Sequence, residues 1–235
     1  HGVNYYDTAW GYHEGNSELV MGRVLGKYPR ESFYLASKFP GYDLANMDKV
    51  EEIFEKQLEK CGVEYFDFYM FHNVCEMNIG AYLDEKYGIF EYLLRQKESG
   101  RIRHLGFSAH GSCDVMKRFL EAYGSRMEFC QIQLNYLDWT LQDAAEKTKL
   151  LEDVGMPIVV MEPLRGGKLA ALSDTQMQQL HTMQLGADSL NDGVKTAATC
   201  SAVEWAFRWL LGIESVKTIL SGMSDLAQVE ENCQI

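Results

Sequence analysis

Val3-Asn4-Tyr5-Tyr6-Asp7-Thr8-Ala9-Trp10-Gly11-Tyr12-His13-Glu14-Gly15 contains an apolar run, an acid and then a polar loop. Residues 3–7 read as a buried strand with Asp7 at its carboxyl end. Gly11 is expected to let the loop turn so that Tyr12 returns over the same point. An open doubly wound sheet would place a GxGxxG fingerprint directly after its first strand, and residues 7–15 contain none. The loop therefore favours a closed α/β barrel. It also brings an acid and a phenol to one mouth, a candidate proton-donor pair.

Six further apolar segments read as buried strands: residues 33–38, 66–72, 104–108, 129–135, 158–162 and 216–221. Helical patterns lie between them, so strand and helix alternate with a period of roughly 30 residues, the mark of βαβ units and a parallel sheet. Residues 17–25 carry Leu19, Val20, Val24 and Leu25. Residues 48–61 carry Val50, Ile53, Phe54, Leu58 and Cys61, with Gly62 as the stop. Ser112 opens a helix with Val115, Met116, Phe119, Leu120 and Tyr123 on one face, and Gly124 closes it. Ser201 and Glu204 form a capping-box pattern, and a last helix is expected from Ser224.

Seven such units read as a TIM (β/α)8 barrel whose N-terminal first strand is missing, in one domain over residues 1–235. The period breaks at residues 168–199, which are polar and rich in Gln, Met, Ser and Asp. A helix over 174–183 with a surface loop is the plain expectation there, and a substrate lid the sharper one.

A chain of 235 residues, 46% hydrophobic and 24% charged, is long enough for one large core, and no Pro-, Gly- or Ser-rich linker divides it. Its net charge of −12, with no Lys/Arg cluster, excludes a nucleic-acid or anionic-membrane surface. Six cysteines are scattered without a CxxC, so no disulfide frame or metal site is expected; they read as thiols of a reducing, cytoplasmic compartment. No apolar run approaches the roughly 18 residues of a membrane span.

Barrel chemistry sits at strand carboxyl ends. The first three strands offer Asp7, with Tyr12 in its loop, then Lys38 and His72. A tyrosine is a poor acid at neutral pH, and an ammonium beside it favours the phenolate. Lys38 could supply that charge, Asp7 could hold Lys38, and His72 could orient a carbonyl oxygen. The set suits general acid catalysis of carbonyl reduction.

The run Asp7-Thr8-Ala9 with Tyr12, Glu18 and Gly22 resembles the aldo-keto reductase signature, and Ser37-Lys38, the strand ending in His72, and Gly106-Phe107-Ser108 follow in its order. The resemblance implies that Asp7, Tyr12, Lys38 and His72 are the catalytic tetrad, with Tyr12 the proton donor to an aldehyde or ketone and NADPH or NADH the hydride source. It further implies carboxamide contacts from Ser108 and Gln133, and Met161 where many members stack a Tyr on the nicotinamide. Met161-Glu162-Pro163-Leu164-Arg165-Gly166-Gly167-Lys168 resembles the family's Tyr-Ser-Pro-Leu loop, and amides around Gly166 and Gly167 beside Lys168 suit a pyrophosphate. Ser221, Gly222, Gln228 and Asn232 match the adenosine end, with Gly222 and Gln228 standing where strongly NADPH-preferring members carry Lys and Arg.

Trp10, Tyr42, Tyr136 and Trp139 are expected to line the substrate mouth. Several phrases look most like bacterial members with a ferredoxin-like iron-sulfur tail. Cys233 alone does not anchor a cluster, so one is expected only with a further C-terminal tail. The expected partner is a small carbonyl compound, with no nucleic acid, membrane or metal, and no oligomeric state is assigned. The alternative reading is a nicotinamide-binding redox sensor or partner-docking subunit.

Overall fold

The computed structural model describes residues 1–188 and 200–235. Its strands are β1 (Tyr5–Asp7), β2 (Tyr34–Phe39), β3 (Phe66–Val74), β4 (Ile102–Ala109), β5 (Cys130–Gln133), β6 (Ile158–Met161) and β7 (Val216–Ile219). Every neighbouring pair is parallel, and the strands lie in chain order from β1 to β7. A doubly wound sheet reverses its order at a switch point; this one never does, so each βα unit advances the same way round. The architecture is a TIM-type barrel wall of seven strands. Among the described residues β1 and β7 do not pair, and a cleft of about 460 Å³ runs along their seam from Asp7 to Ser221.

Strand side chains alternate between two faces. Ala36, Met70, Phe129 and Val159 meet on the inner face with Tyr5, Phe68 and Leu220. The opposite face joins Leu35, Phe71, Phe107 and Ile132 to the helices α2 (Val50–Cys61) and α5 (Cys113–Tyr123) through residues such as Val50 and Phe119. Two residues beyond the inner cluster, the same alternation sets Asp7, Lys38 and His72 on the inner face at the carboxyl rim.

The helix expectations hold for α2, whose Gly62 stop adopts φ +62°. Other signals played out differently. Gly124 is the C-cap of α5, as expected, but it stays right-handed and leads into a 3₁₀ turn. Ser201 accepts from the Glu204 N–H at the start of α9 (Ala202–Leu211), but the Glu204 carboxylate turns to Arg208, so half of the capping box forms. The cap of α10 (Leu226–Asn232) is Asp225, which accepts from the Gln228 N–H, not Ser224.

In α1 (Ser17–Leu25), Leu19, Val20 and Val24 are exposed, while Ser17, Glu18 and Leu25 are buried. The apolar residues face outward because Gly22 meets the end of α2: a Cβ there would stand 2.5 Å from the Lys60 carbonyl oxygen. That approach fixes the helix rotation and turns Glu18 inward. The helix expected over 174–183 extends as Asp174–Asp188. The lid reading covers residues 168–199, of which 189–199 lie outside the described residues. Among the described residues no helix is long and apolar enough to cross a membrane.

Candidate active site

Asp7, Lys38, Tyr12 and His72 converge at the rim. Lys38 Nζ, from a fully buried side chain, donates to Asp7 Oδ1 at 2.5 Å and to the Thr8 carbonyl at 2.9 Å, and lies 3.4 Å from the Tyr12 hydroxyl. The same ammonium sits 4.8 Å from the Tyr12 ring centroid. His72 meets the Tyr12 ring edge-on at 5.8 Å and the Tyr42 ring at 5.1 Å.

The loop that returns Tyr12 differs from its expected form. Its left-handed residues are His13, Glu14 and Gly15. Gly11 instead answers a close approach, since a Cβ there would meet the Tyr42 hydroxyl at 2.3 Å.

Burial pushes the Asp7 carboxyl up, and the Lys38 charge offsets part of this. Burial, with the nearby Lys38 and His110, drives the His72 imidazole down to about 2. His72 is therefore neutral at any physiological pH, a hydrogen-bonding group and not a cation. One oxygen of Asp7 and Nδ1 of His72 are buried without a partner among the described residues.

A second layer holds these groups. Glu18, buried beside β2, accepts from Ser37 at 2.8 Å and Gln57 at 2.6 Å, while Gln57 also donates to the Lys38 carbonyl at 3.0 Å. Behind His72, β3 bulges at Asn73, which takes φ +58°. Ser108 Oγ accepts from the Asn73 N–H at 2.8 Å, Asn78 donates to the Asn73 carbonyl at 2.8 Å, and Tyr82 donates to the His72 carbonyl at 2.7 Å. Neither Gln57, Asn78 nor Tyr82 stood out in the sequence, because each reaches the site from an unrelated element.

On the other side of the rim, Ser108, Gln131 and Val159 share one register level, and Gln133 and Met161 the next. Gln133 commits its Nε2 to Asp138 at 2.8 Å. Gln131 is buried; its Nε2 approaches Met161 Sδ at 3.6 Å and its Oε1 has no partner among the described residues. The alternation that places Gln133 on the inner face places Gln131 there too, so strand period was the available signal.

After β6 the chain takes positive φ at Glu162, Arg165, Gly166 and Gly167. The Gly166 and Gly167 N–H groups make no hydrogen bond within the described residues, and a Cβ on Gly167 would meet nothing within 4 Å. Farther on, Asn232 donates to Ser221 Oγ at 2.9 Å, and Gln228 Oε1 accepts from the Ser224 N–H at 2.7 Å. An unpartnered buried amide oxygen, free glycine amides and an open approach fit a nicotinamide dinucleotide.

The four aromatics part company. Tyr42 stands against His72 at the mouth. Trp10 lies under the Lys60 ammonium at 3.9 Å, on the α2 side. Tyr136 and Trp139 meet Trp209 of α9 edge-on, at 6.5 and 5.3 Å. Both stay half-buried, packed beside that helix after β5.

A chain-ordered parallel barrel with titratable groups at its strand ends defines a barrel enzyme. The chain belongs to the Aldo/keto reductase family, whose profile matches residues 1–235. It is 26% identical to the NADH-specific methylglyoxal reductase of Escherichia coli (strain K12), over 98% of this chain and 78% of that protein. It is also 26% identical to an uncharacterized oxidoreductase of Bacillus subtilis (strain 168), over 99% of this chain and 78% of the other. Among solved structures, the holo form of an aldo-keto reductase from Bacillus halodurans shares the fold, with a TM-score of 0.76 and 23% identity over 99% of this chain and 76% of that one. An aldo-keto reductase from Klebsiella pneumoniae in complex with NADPH gives 0.69, at 18% identity over 99% of this chain and 74% of that one.

Proposed function

We propose that this protein reduces an aldehyde or ketone to an alcohol with NAD(P)H, in one barrel domain over residues 1–235, and that Tyr12 delivers the proton. The observation that carries this reading is the Lys38 ammonium, fully buried, tied to Asp7 at 2.5 Å and 3.4 Å from the Tyr12 oxygen. Bound nicotinamide supplies the hydride. Tyr12 O–H donates to the carbonyl oxygen as negative charge grows there, and Lys38 stabilises the phenolate left behind. Asp7 pairs with the lysine and holds it in place. Neutral His72 orients the carbonyl oxygen, and Tyr42 walls the mouth.

For the cofactor, Ser108 and Gln131 take the carboxamide, with Gln133 braced beside them and Met161 against the ring. Pro163, Leu164, Gly166, Gly167 and Lys168 follow the pyrophosphate; Ser221, Gly222, Gln228 and Asn232 take the adenosine. Residues 218–235 contain no Lys or Arg, while Asp225, Glu230 and Glu231 are acidic. A 2′-phosphate finds no counter-charge on that segment, so NADH is the preferred form, as the name of the Escherichia coli relative states for that protein. Six cysteines scattered through the sequence, without the paired spacings of a disulfide scaffold, are in keeping with a cytoplasmic setting.

The test follows nicotinamide absorbance with a panel of small aldehydes and ketones, using NADH and NADPH in parallel. Tyr12→Phe should bind NADH as before and lose reduction. Near-normal turnover by that variant would reject Tyr12 as the donor, and equal rates with both cofactors would reject the NADH preference.

A further inference from the structure

Asp138 has a carboxylate with no exposure at all, in the short helix α6 (Asp138–Leu141) just after β5. One oxygen accepts from Gln133 Nε2 at 2.8 Å and Asn135 Nδ2 at 2.7 Å. The other, Oδ1, makes no hydrogen bond, and the cation beside it is Arg165, whose Nε stands 3.4 Å away. A buried carboxylate needs a counter-charge, because desolvation penalises it heavily when alone. Arg165 supplies that charge from within the glycine loop, held at φ +49°, a conformation that non-glycine residues adopt only under constraint. Its side chain is 31% exposed, so the guanidinium reaches solvent at the rim while pairing with a fully buried carboxylate. Next along the chain are the free amides of Gly166 and Gly167.

We infer that Asp138 is a positioning residue for cofactor phosphate: its charge pairs with Arg165 from the Nε side and so leaves the terminal edge of the guanidinium, beside the Gly166 and Gly167 amides, for the pyrophosphate. This rests on the reading of residues 162–168 as the pyrophosphate site. A guanidinium suits the task because its fork serves two anions at once, one through Nε and one through the terminal nitrogens; an ammonium cannot do so with fixed geometry. Asn135 reinforces the arrangement, since its Nδ2 also donates to the Glu162 carbonyl at 2.9 Å where the loop begins.

The experiment measures Kd for NADH by fluorescence and for ADP-ribose, which keeps the pyrophosphate and lacks nicotinamide, by competition. Arg165→Gln, Asp138→Asn and Arg165→Lys should each weaken both ligands about tenfold, and Asp138→Asn should add nothing in the Arg165→Gln background. Asp138→Asn keeps the side-chain volume and an acceptor oxygen. If it fails to fold, Arg165→Lys decides alone, since it keeps the charge on a partly exposed side chain and loses the fork. Wild-type affinity in Arg165→Lys, or an Asp138→Asn loss that persists undiminished in Arg165→Gln, would overturn the positioning role while leaving the pyrophosphate site standing. Failure of the wild-type protein to bind ADP-ribose would remove the site and this inference together.

Discussion

Replacing Lys38 by Met removes the charge on which the proposed proton transfer depends. In the structure Lys38 Nζ is 3.4 Å from the Tyr12 oxygen. At an effective dielectric of about 20, a unit charge at that distance stabilises a phenolate by about 5 kcal/mol. Tyr12 is 38% exposed, so water screens part of this; taking about half leaves about 2.5 kcal/mol, or roughly two orders of magnitude in rate. The substitution also strands Asp7. Its carboxyl is already pushed up by burial, with Lys38 pulling the other way. Without the lysine it neutralises by taking a proton, which softens the roughly 3–5 kcal/mol cost of breaking a buried pair. Kcat at saturating NADH, followed by absorbance, is the assay, with melting temperature measured in parallel. A folded Lys38→Met protein with kcat within a few-fold of wild type would refute the electrostatic role of Lys38.

Two further perturbations test the frame around the site. His72 is held down to about 2 in the folded protein, against an ordinary value of 6.5. Below 6.5 the unfolded chain binds a proton that the folded one refuses, so stability is full above about pH 6.5 and falls as pH drops, by up to about 1.4 kcal/mol per pH unit. Denaturation at pH 5 to 6.5 should show this slope, and His72→Gln should reduce it, leaving the part that His110, also held down by burial, contributes; an unchanged slope would refute the His72 share. Gly22→Ala would force a methyl against the Lys60 carbonyl at 2.5 Å. It should cost about 1–3 kcal/mol in denaturant unfolding by prying α1 from α2, and a loss below about 0.5 kcal/mol would show that the two helices separate easily.

The strands and the residues at their carboxyl ends were readable because both depend on local pattern. Short apolar runs set the elements, the missing glycine fingerprint after β1 chose the barrel, and a side chain at a strand end sits at the rim whatever packs behind it. Asp7, Lys38 and His72 follow from that rule alone. The hydrogen-bond partners of Gln131 and Gln133 do not. Both lie on the inner face, and only Asp138, folding back from α6, takes up the amide of Gln133 and leaves Gln131 with the unpartnered oxygen.

Side chains that meet across long sequence separations are equally unreadable from periodicity. The edge contact of Trp139 with Trp209 of α9 spans 70 residues of sequence. Leu19, Val20 and Val24 look like a core face until the close approach of Gly22 to α2 sets the rotation of α1.

By itself, then, the sequence determined the order and direction of the strands and which titratable groups stand at their ends, since side-chain alternation and chain order need no distant partner. Only the tertiary structure decided which of those groups touch, which amide stays free, and that a buried aspartate faces the arginine of the glycine loop. Distance, desolvation and hydrogen-bond competition settle those choices, and they exist only once the chain has closed on itself.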